Sequence, residues 1–369
     1  MDAMVFLWPD SKNMLETKQI QTPYLCDMTA DELAELLKTL GQPAFRAKQL
    51  HQWLMRGVRP EQMTNLPKEL RSRLAQLPFG GVEVALKRVS ERDGTAKYLF
   101  RLDDENLVEG VLMRYHYGNT ECISTQVGCN MGCQFCASTL QGCVRNLRVG
   151  EMLGQISAVE RDEPPSGDQV RTVTNLVLMG SGEPMDNYDN VVEFLHRVSA
   201  PDGMGISPRN ISVSTCGIVP RMLTFAKDAP HVTLSVSLHA HNDAIRSSIM
   251  PVNRVYPIDQ VLSAAASYAD ITGRRVVFEY ALIGDVNSSL ADAEALAKRL
   301  RGMLCHVNLI PLNPVPERGL AGVTREQARQ FCQWLTDRHI SATVRREMGT
   351  DIEGACGQLR RRVIDEIRV

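Results

Sequence analysis

The sequence lacks single-residue tracts, long apolar runs and an excess of charge of either sign. No apolar run approaches the roughly 18 residues that a membrane helix requires, so we predict no transmembrane segment. The apolar residues near the start follow no basic segment and precede no small-residue cleavage site. We therefore predict no signal peptide and a cytoplasmic location. The formal net charge of −2 gives no overall attraction to nucleic acid, so any RNA binding would require local basic patches.

A chain of 369 residues with 44% hydrophobic and 23% charged residues has the composition of an ordinary folded protein. Its length accommodates a large catalytic core and a smaller accessory domain. Thr29 and Glu32 form a capping-box pattern ahead of leucines at helical spacing. Two further amphipathic stretches follow at residues 45–57 and 66–77, and we predict a helical domain over residues 1–95. Its basic residues by themselves indicate only solvated helix faces.

Apolar runs alternate with helix-length stretches over residues 96–369, the predicted catalytic domain. Two strands, "KYLFRL" and "VEGVLMRY", come first, and a repeating pattern then starts at "ECISTQV" and continues through "NLVLMG", "ISVSTCG", "VTLSVSLHA", "RVVFEYALI" and "HVNLIPL". Six such strand–helix units predict a parallel α/β architecture, either an open doubly wound sheet or a barrel. In both cases the active site lies at the carboxyl ends of the strands, where the polar motifs of this sequence fall.

Three cysteines stand close together in "CNMGCQFCAS", where Cys129, Cys133 and Cys136 have C-x₃-C-x₂-C spacing. One loop with this spacing can place three thiolates around a single inorganic centre. Structural zinc sites and ferredoxin-type clusters both take four protein ligands. Three cysteines would leave one iron of a 4Fe–4S cluster open to a substrate. Cys143 is an alternative fourth ligand, which would close a zinc or electron-transfer site.

The cysteine spacing, at the end of a predicted first barrel strand, resembles the signature of the radical S-adenosylmethionine (SAM) superfamily. This resemblance implies a (β/α)₆ partial barrel similar to a TIM barrel. It also implies a 4Fe–4S cluster whose open iron binds the amino and carboxylate groups of SAM. Electron transfer from the cluster then cleaves SAM to methionine and a 5′-deoxyadenosyl radical.

Longer motifs narrow the resemblance to one family. The segments "ISTQVGCNMGCQFCAST", "GSGEPMDNYDNV", "SLHAHNDAIRSSIMPVNR", "CHVNLIPLNPVPE" and "RREMGTDIEGACGQL" resemble the RlmN-type adenine carbon-2 methyltransferases. The resemblance implies methylation of an adenine in 23S ribosomal RNA and in transfer RNA, with two SAM molecules used per turnover. It further implies an electron donor such as flavodoxin and an N-terminal domain that provides most RNA contacts. We expect a monomer.

The chemistry of the substrate agrees with a radical route. Carbon 2 of adenine lies between two ring nitrogens and is electron-poor, so it cannot attack the methyl group of SAM as a nucleophile would. By resemblance, Cys356 accepts a methyl group from one SAM, and the radical from a second SAM activates that group for addition to carbon 2. Cys122 then forms a disulfide with Cys356 and releases the RNA. Taken alone, each cysteine could equally be a small buried hydrophobic residue.

Glu109 matches the position of the proton acceptor in this family. A carboxylate inside an otherwise apolar strand is costly to bury unless it is paired or functional. The alternative is an edge-strand carboxylate that faces water.

The family also implies a set of SAM contacts, all at predicted strand ends. Gly182 would allow close backbone approach, and Glu183 would pair with the methionine ammonium. The remaining contacts are Ser214, Ser237, Leu238, His239 and Asn313. As an isolated residue, His239 is more typical of a structural histidine.

Three other functions compete with this interpretation. A related Cfr-type enzyme methylates carbon 8 of the same kind of adenine with the same cysteines. A non-catalytic, metal-stapled RNA-binding protein would hold zinc and be colourless. A radical enzyme for small molecules would not need Cys122 and Cys356.

The basic residues around Cys356 could contact RNA phosphates or belong to a solvated terminal helix. They are Arg345, Arg346, Arg360, Arg361 and Arg362.

Overall fold

The structure, a computed structural model, describes residues 23–313, 315–352 and 359–360. The strands in these ranges are β1 Val82–Val89, β2 Ala96–Leu102, β3 Leu107–Tyr115, β4 Gly118–Cys122, β5 Gln126–Gly128, β6 Cys143–Asn146, β7 Asn175–Leu178, β8 Ile211–Thr215, β9 Thr233–Ser237, β10 Val276–Leu282, β11 Cys305–Pro311 and β12 Ala342–Val344. The helices are α1 Ala30–Thr39, α2 Phe45–Met55, α3 Lys68–Leu74, α4 Val149–Asp162, α5 Tyr188–Ser199, α6 Val219–Asp228, α7 Asp243–Ile249, α8 Ile258–Thr272, α9 Leu290–Leu300 and α10 Arg325–Thr336. Among the described helices, none combines the length and apolar character needed to cross a membrane.

Helices α1, α2 and α3 form an N-terminal unit with its own small core. The predicted capping box is present at the start of α1: the Glu32 amide donates to Thr29 Oγ1 at 3.2 Å, and the Thr29 amide donates to the Glu32 carboxylate at 2.7 Å. Leucines from all three helices fill the core: Leu33, Leu37, Leu50, Leu54, Leu70 and Leu74. The Asp27 carboxylate joins this unit to the barrel, since it accepts from the Gly150 amide in the first turn of α4 at 2.7 Å. The predicted N-terminal helices are confirmed.

A ten-stranded sheet forms the rest of the fold, in the order β1-β2-β3-β4-β7-β8-β9-β10-β11-β12. Strands β1 to β4 pair antiparallel, whereas every pair from β4 to β12 is parallel. Helices between successive parallel strands cover the outer face, and apolar residues fill the layer between sheet and helices. The predicted α/β partial barrel is therefore confirmed, with an antiparallel extension at its first edge.

One predicted strand is interrupted. The run "ECISTQV" leaves the large sheet after Cys122, and β5 pairs with β6 in a separate two-stranded sheet. Ser124 marks the change of direction. Its amide donates to the side-chain oxygen of Gln155 at 2.9 Å, and its hydroxyl donates to the Glu109 carbonyl oxygen at 2.8 Å. Because side chains satisfy this backbone, the chain can turn out of the sheet and carry the cysteine loop away from it.

The predicted domain boundary near residue 95 falls between β1 and β2. These two strands pair along their whole length in the large sheet. The position of a boundary between folding units remains a prediction.

Candidate active site

The cysteine loop joins β5 to β6. Gly128 ends β5 with a φ of 82°, and a Cβ atom there would lie 2.0 Å from the carbonyl oxygen of Gly142. The Cys129 amide donates to the same oxygen at 3.0 Å, which closes the base of the loop. Thr139 Oγ1 donates to the carbonyl oxygens of Cys133 at 3.1 Å and Cys136 at 3.0 Å. These contacts hold the loop through its backbone.

Two of the three cysteines are buried, and the third, Cys136, is half-buried against the same apolar cluster. Cys129 and Cys133 are 7% and 8% exposed. Burial raises the pKa of the Cys133 thiol well above its usual value, and the neighbouring Cys136 and Cys129 thiols raise it further. The three cysteines pack in one cluster with apolar neighbours. The surrounding apolar residues are Met131, Phe135, Ile249, Met250 and Ile283.

This set of thiols suits an iron–sulfur cluster. Within the described ranges, no three His, Cys, Asp or Glu side chains converge tightly enough to chelate one metal ion. A 4Fe–4S cluster instead takes its thiolates at separate irons, which three thiols spaced along one loop can provide in an apolar surround. Cys143, the alternative fourth ligand, is half-buried in β6, where it pairs with Gly128 next to Cys129.

Gly182 and Glu183 follow β7 and lie against β5. Gly182 has a φ of 111°, and a Cβ atom would lie 2.6 Å from the Gln126 amide nitrogen, so a larger residue does not fit. The Glu183 carboxylate accepts from the amides of Met185 at 3.0 Å and Cys216 at 2.7 Å. Burial raises the pKa of Glu183, while these backbone donors lower it. Glu183 thus links the loops after β7 and β8 beside the cysteine pocket.

His239 lies directly after β9, with a φ of 56°. Its Nδ1 atom accepts from the Ala281 amide at 2.9 Å, so the remaining proton of the neutral ring is on Nε2. Its ring packs edge-on against Phe135 of the cysteine loop, with 4.7 Å between centroids. Burial and the nearby Arg246 lower the pKa of His239 to about 3. The imidazole is therefore a neutral, fixed Nε2 donor.

The other predicted SAM contacts lie at strand ends but differ in exposure. Ser214 and Ser237 are half-buried at the ends of β8 and β9. Leu238 is fully buried and its amide donates to the Glu279 carbonyl oxygen at 3.0 Å. Asn313 is exposed after β11. The structure thus brings Ser214, Ser237 and His239 to one edge of the sheet, with Asn313 further along it.

Cys122 ends β4 and faces the lumen of the barrel. It is 4% exposed and pairs in register with Val111 on one side and Val177 on the other. It borders a cavity of about 220 Å³ that is also lined by Val111, Met113, Ile310, Asn313, Arg345, Arg346, Glu347 and Met348. Cys356 lies outside the described residues. Residues 345–350, on the far wall of this cavity, belong to the segment that leads toward it.

Glu109 is buried in the interior of the sheet. Its strand β3 lies between β2 and β4, so the alternative of a water-facing edge residue is wrong. The carboxylate is 3.2 Å from Lys97 Nζ and accepts from the Arg360 amide at 2.5 Å. Lys97 is fully buried and Glu109 is 5% exposed. The ion pair stabilises a carboxylate that would otherwise be too costly to bury. The hydrogen bond from Arg360 joins the sheet to the C-terminal segment.

Sequence reasoning missed Arg246 of α7. This side chain is fully buried, and its guanidinium donates to the carbonyl oxygens of Cys216 at 2.6 Å and Ser237 at 3.1 Å. It also donates to Leu238 O at 3.2 Å and Asn253 Oδ1 at 2.9 Å. Arg246 therefore fixes the loops after β8 and β9 together. Its only signal was its place within the motif "SLHAHNDAIRSSIMPVNR".

A partial α/β barrel with three thiols on a loop that follows closely after its first parallel strand, β4, defines the radical SAM class of enzymes. In agreement, the sequence model of the radical SAM superfamily matches residues 123–297. A crystal structure of a radical SAM methyltransferase from Sphaerobacter thermophilus is 45% identical, with a TM-score of 0.85 over 91% of this chain and 98% of that one.

The comparisons also establish the family. The model of the ribosomal RNA large subunit methyltransferase N-terminal domain matches residues 24–78. A probable dual-specificity RNA methyltransferase RlmN of Thermoanaerobacter sp. (strain X514) is 46% identical over 93% of this chain and 99% of its own. One of the same name from Lachnoclostridium phytofermentans is 50% identical over 93% of this chain and 95% of its own. The chain belongs to the RlmN family.

Proposed function

We propose that this protein methylates carbon 2 of an adenine in 23S ribosomal RNA and in transfer RNA by a radical SAM mechanism. The observation that carries the proposal is Cys122, buried at the end of β4 and facing the segment that leads to Cys356. In the proposed reaction a second thiol is needed to break the covalent bond between the RNA and Cys356. A zinc-stapled RNA-binding protein or a radical enzyme for small molecules has no such need. Membership of the RlmN family favours carbon 2 over carbon 8.

Cys129, Cys133 and Cys136 would hold the 4Fe–4S cluster, with its fourth iron left for SAM. The cluster and SAM, when bound, supply a hydrogen-abstracting radical, and two SAM molecules are used per turnover. A protein such as flavodoxin would supply the electron. Gly182 lets the backbone approach the amino end of SAM, where Glu183 accepts from its ammonium. The remaining contacts would come from Ser214, Ser237, Leu238, His239 and Asn313, with His239 donating through Nε2.

The protein side of the reaction uses two thiols and one carboxylate. Cys356 carries the methyl group. Once that group has lost a hydrogen atom, its carbon bonds to carbon 2, the adduct would return one electron to the cluster, and RNA and protein are joined by a thioether. Glu109 accepts the proton from carbon 2; it shares a face of β3 with Val111, the register partner of Cys122. The Cys122 thiolate then attacks the Cys356 sulfur. A disulfide forms, the carbon–sulfur bond breaks, and the carbon keeps the electron pair and takes up a proton to become the methyl group.

The N-terminal unit would provide most of the remaining RNA contacts. Lys48 of α2 and Lys68 of α3 are exposed on this unit and are available to phosphates. The protein would act as a monomer on both RNAs.

Mass spectrometry of nucleosides tests the proposal. Anaerobically reconstituted enzyme is incubated with SAM, a reductant and either ribosomal or transfer RNA. We expect 2-methyladenosine from both RNAs, and 8-methyladenosine would overturn the carbon-2 assignment. The same preparation should be brown and absorb broadly near about 400 nm, as cysteine-bound iron does, whereas a colourless zinc protein would contradict the cluster.

A cysteine variant tests the covalent step. With Cys122→Ala the thioether cannot be resolved, so a covalent RNA–protein adduct should accumulate on denaturing gels. Cys332→Ala on α10 is the matched control, which should turn over like the wild type. A Cys122→Ala enzyme that releases methylated RNA at the wild-type rate would overturn the role of Cys122.

A further inference from the structure

A second cavity opens at the amino ends of the parallel strands, away from the cysteine loop. Its volume is about 450 Å³, and the starts of β7, β8 and β9 form part of its wall. Tyr115 and Tyr117, at the turn between β3 and β4, line it together with Arg209, Arg345 and Arg346. We name this cavity the basal groove.

The charge of the basal groove is of one sign. Three arginines line it, and none of the described residues in its wall is an aspartate or a glutamate. Arg209 and Arg346 are exposed. The buried Glu279 lies behind this wall, where it accepts from Asn308 at 2.8 Å. A concentration of guanidinium groups on the surface of a protein of net charge −2 is the local basic patch that RNA phosphates require.

The groove also presents a stacking surface. The rings of Tyr115 and Tyr117 are stacked, with centroids 5.0 Å apart and planes 5° from parallel. Tyr117 is 64% exposed, which is high for a large aromatic side chain. Exposed, preorganised aromatic rings beside arginines are how proteins hold the unpaired bases of single-stranded RNA.

The basal groove continues to the reacting thiol. Met113, Arg345 and Arg346 line both the groove and the cavity that contains Cys122. Along β4, Thr120 borders the groove and Cys122 borders the cavity, since alternate residues face the same side of a strand. The basal groove and the Cys122 cavity therefore adjoin in the lumen.

The cysteine loop and its neighbours occupy the other end of the lumen, at the carboxyl ends of the strands. The cysteine loop, Gly182 and His239 crowd the carboxyl ends of the strands, and His239 packs directly on Phe135 of that loop. In the proposed function the cluster and SAM fill this end. The basal groove is an approach to Cys122 that avoids this end and can admit an adenine attached to a polynucleotide.

We propose that single-stranded RNA enters the barrel through the basal groove, with a base next to the target adenine stacked on Tyr117 and flanking phosphates paired with Arg209 and Arg346. This inference rests on the proposed function, because it takes the adenine to react beside Cys122. It assigns RNA recognition to the catalytic barrel in addition to the N-terminal helices.

RNA binding by the full-length protein tests this inference without requiring turnover. The probe is a short, fluorescently labelled single-stranded RNA containing one adenine, followed by anisotropy at several salt concentrations. Tyr117→Ala should weaken binding roughly tenfold through loss of a stacking partner, whereas Tyr117→Phe keeps the ring and the affinity. Arg209→Ser should weaken binding and lower the slope of log affinity against log salt by about 1. The control Arg329→Ser, at an exposed arginine of α10, should do neither.

Two further readouts separate this inference from the proposed function. In methylation assays, Tyr117→Ala should raise KM for RNA about as much as it weakens binding, while SAM cleavage in the absence of RNA stays at the wild-type rate. Ultraviolet cross-links should map to the peptide that contains Tyr117. If wild-type enzyme methylates RNA but both groove variants bind and methylate as it does, the basal groove is not the RNA path. If the groove variants lose RNA binding but the wild type yields no methyladenosine, the proposed function fails and the groove stands.

Discussion

The cysteine pocket and the basal groove lie at opposite ends of one lumen and differ in almost every physical property. In the pocket, Cys129, Cys133 and His239 are buried, and burial shifts the pKa of each toward its neutral form. In the groove, Tyr117 and Arg209 face solvent, and none of the described residues in its wall is an aspartate or a glutamate. Radical chemistry requires a site that excludes water, whereas binding a polyanion requires exposed charge. The length of the lumen allows one barrel to provide both.

The largest effect should come from Arg246, which holds together the loops beside the cysteine pocket. Arg246→Met would leave the carbonyl oxygens of Cys216 and Ser237 buried without a donor, at roughly 1–3 kcal/mol each. We expect the free energy of unfolding to fall by more than about 3 kcal/mol, measured by urea titration under reducing conditions. Arg329→Met, at an exposed position of α10, is the control and should stay within about 0.5 kcal/mol of wild type. An unchanged midpoint of urea unfolding for Arg246→Met would show that the loops beside the cysteine pocket do not depend on these hydrogen bonds.

Gly182 offers a second test of the close packing beside the cysteine pocket. An alanine there would combine a φ of 111° with a Cβ atom 2.6 Å from the Gln126 nitrogen, and we expect a loss of roughly 3 kcal/mol. Gly273, the C-cap of α8, has a φ of 65° but no atom within 4 Å of the added Cβ. Gly273→Ala should therefore cost only about 1 kcal/mol. Equal losses in thermal or urea unfolding would mean that close packing beside Gly182 is unimportant.

Glu121 should make the stability of the barrel depend on pH. Its side chain is fully buried, and neither carboxylate oxygen has a hydrogen-bond partner among the described residues. It pairs in register with Leu112 and Leu176. Burial raises its pKa well above 4.5, with a further increase from Glu160 of α4. The folded state therefore keeps a neutral acid at pH values where the unfolded chain is ionised.

The sign follows from this raised pKa. Stability from Glu121 is fully present below about pH 4.5 and is lost as pH rises toward the folded-state pKa, by up to about 1.4 kcal/mol per pH unit. Glu121→Leu should therefore gain stability over the wild type as pH increases from about 5 to about 8 in urea unfolding. Glu121→Gln, which cannot ionise, should share this pH trend. Parallel curves for all three proteins would contradict a buried, neutral Glu121.

The smallest effect on stability should come from a substitution in the basal groove. Arg209 is exposed beside the basal groove, so Arg209→Ser should change the free energy of unfolding by less than about 0.5 kcal/mol. The same variant should lose RNA affinity, as described above. A large loss of stability would mean that the groove is part of the folding core and would remove the contrast between the two ends.

Much of the fold followed from local patterns. The capping box at Thr29, the alternation of apolar runs with amphipathic helices and the strands before the cysteine loop are all present in the structure. The run "ECISTQV" was predicted as one strand because its apolar character is continuous. The break after Cys122 depends on Ser124, whose partners Glu109 and Gln155 come from other elements, and no local pattern encodes them.

The partners of site residues were harder to predict. Glu109 was recognisable as a costly carboxylate, but the sequence could not show that Lys97 lies beside it or that β3 is an interior strand. Arg246 donates to Cys216, which is 30 residues away in the chain. Such pairs form because strand order and loop packing bring distant residues together, and neither leaves a periodic signal.

The sequence by itself determined the chemistry that is available: three thiols on one loop, two further cysteines, and a repeat of strands and helices that can only bury its apolar faces as a layered α/β fold. Ligand type and spacing are local properties of a chain, so they can be predicted before folding. Tertiary structure decided which groups are buried and which are exposed to solvent. It buried Glu109, Glu121 and His239, exposed Tyr117, and joined the basal groove to Cys122. Solvent exclusion is a property of packed surfaces from many segments, and it exists only once the chain is folded.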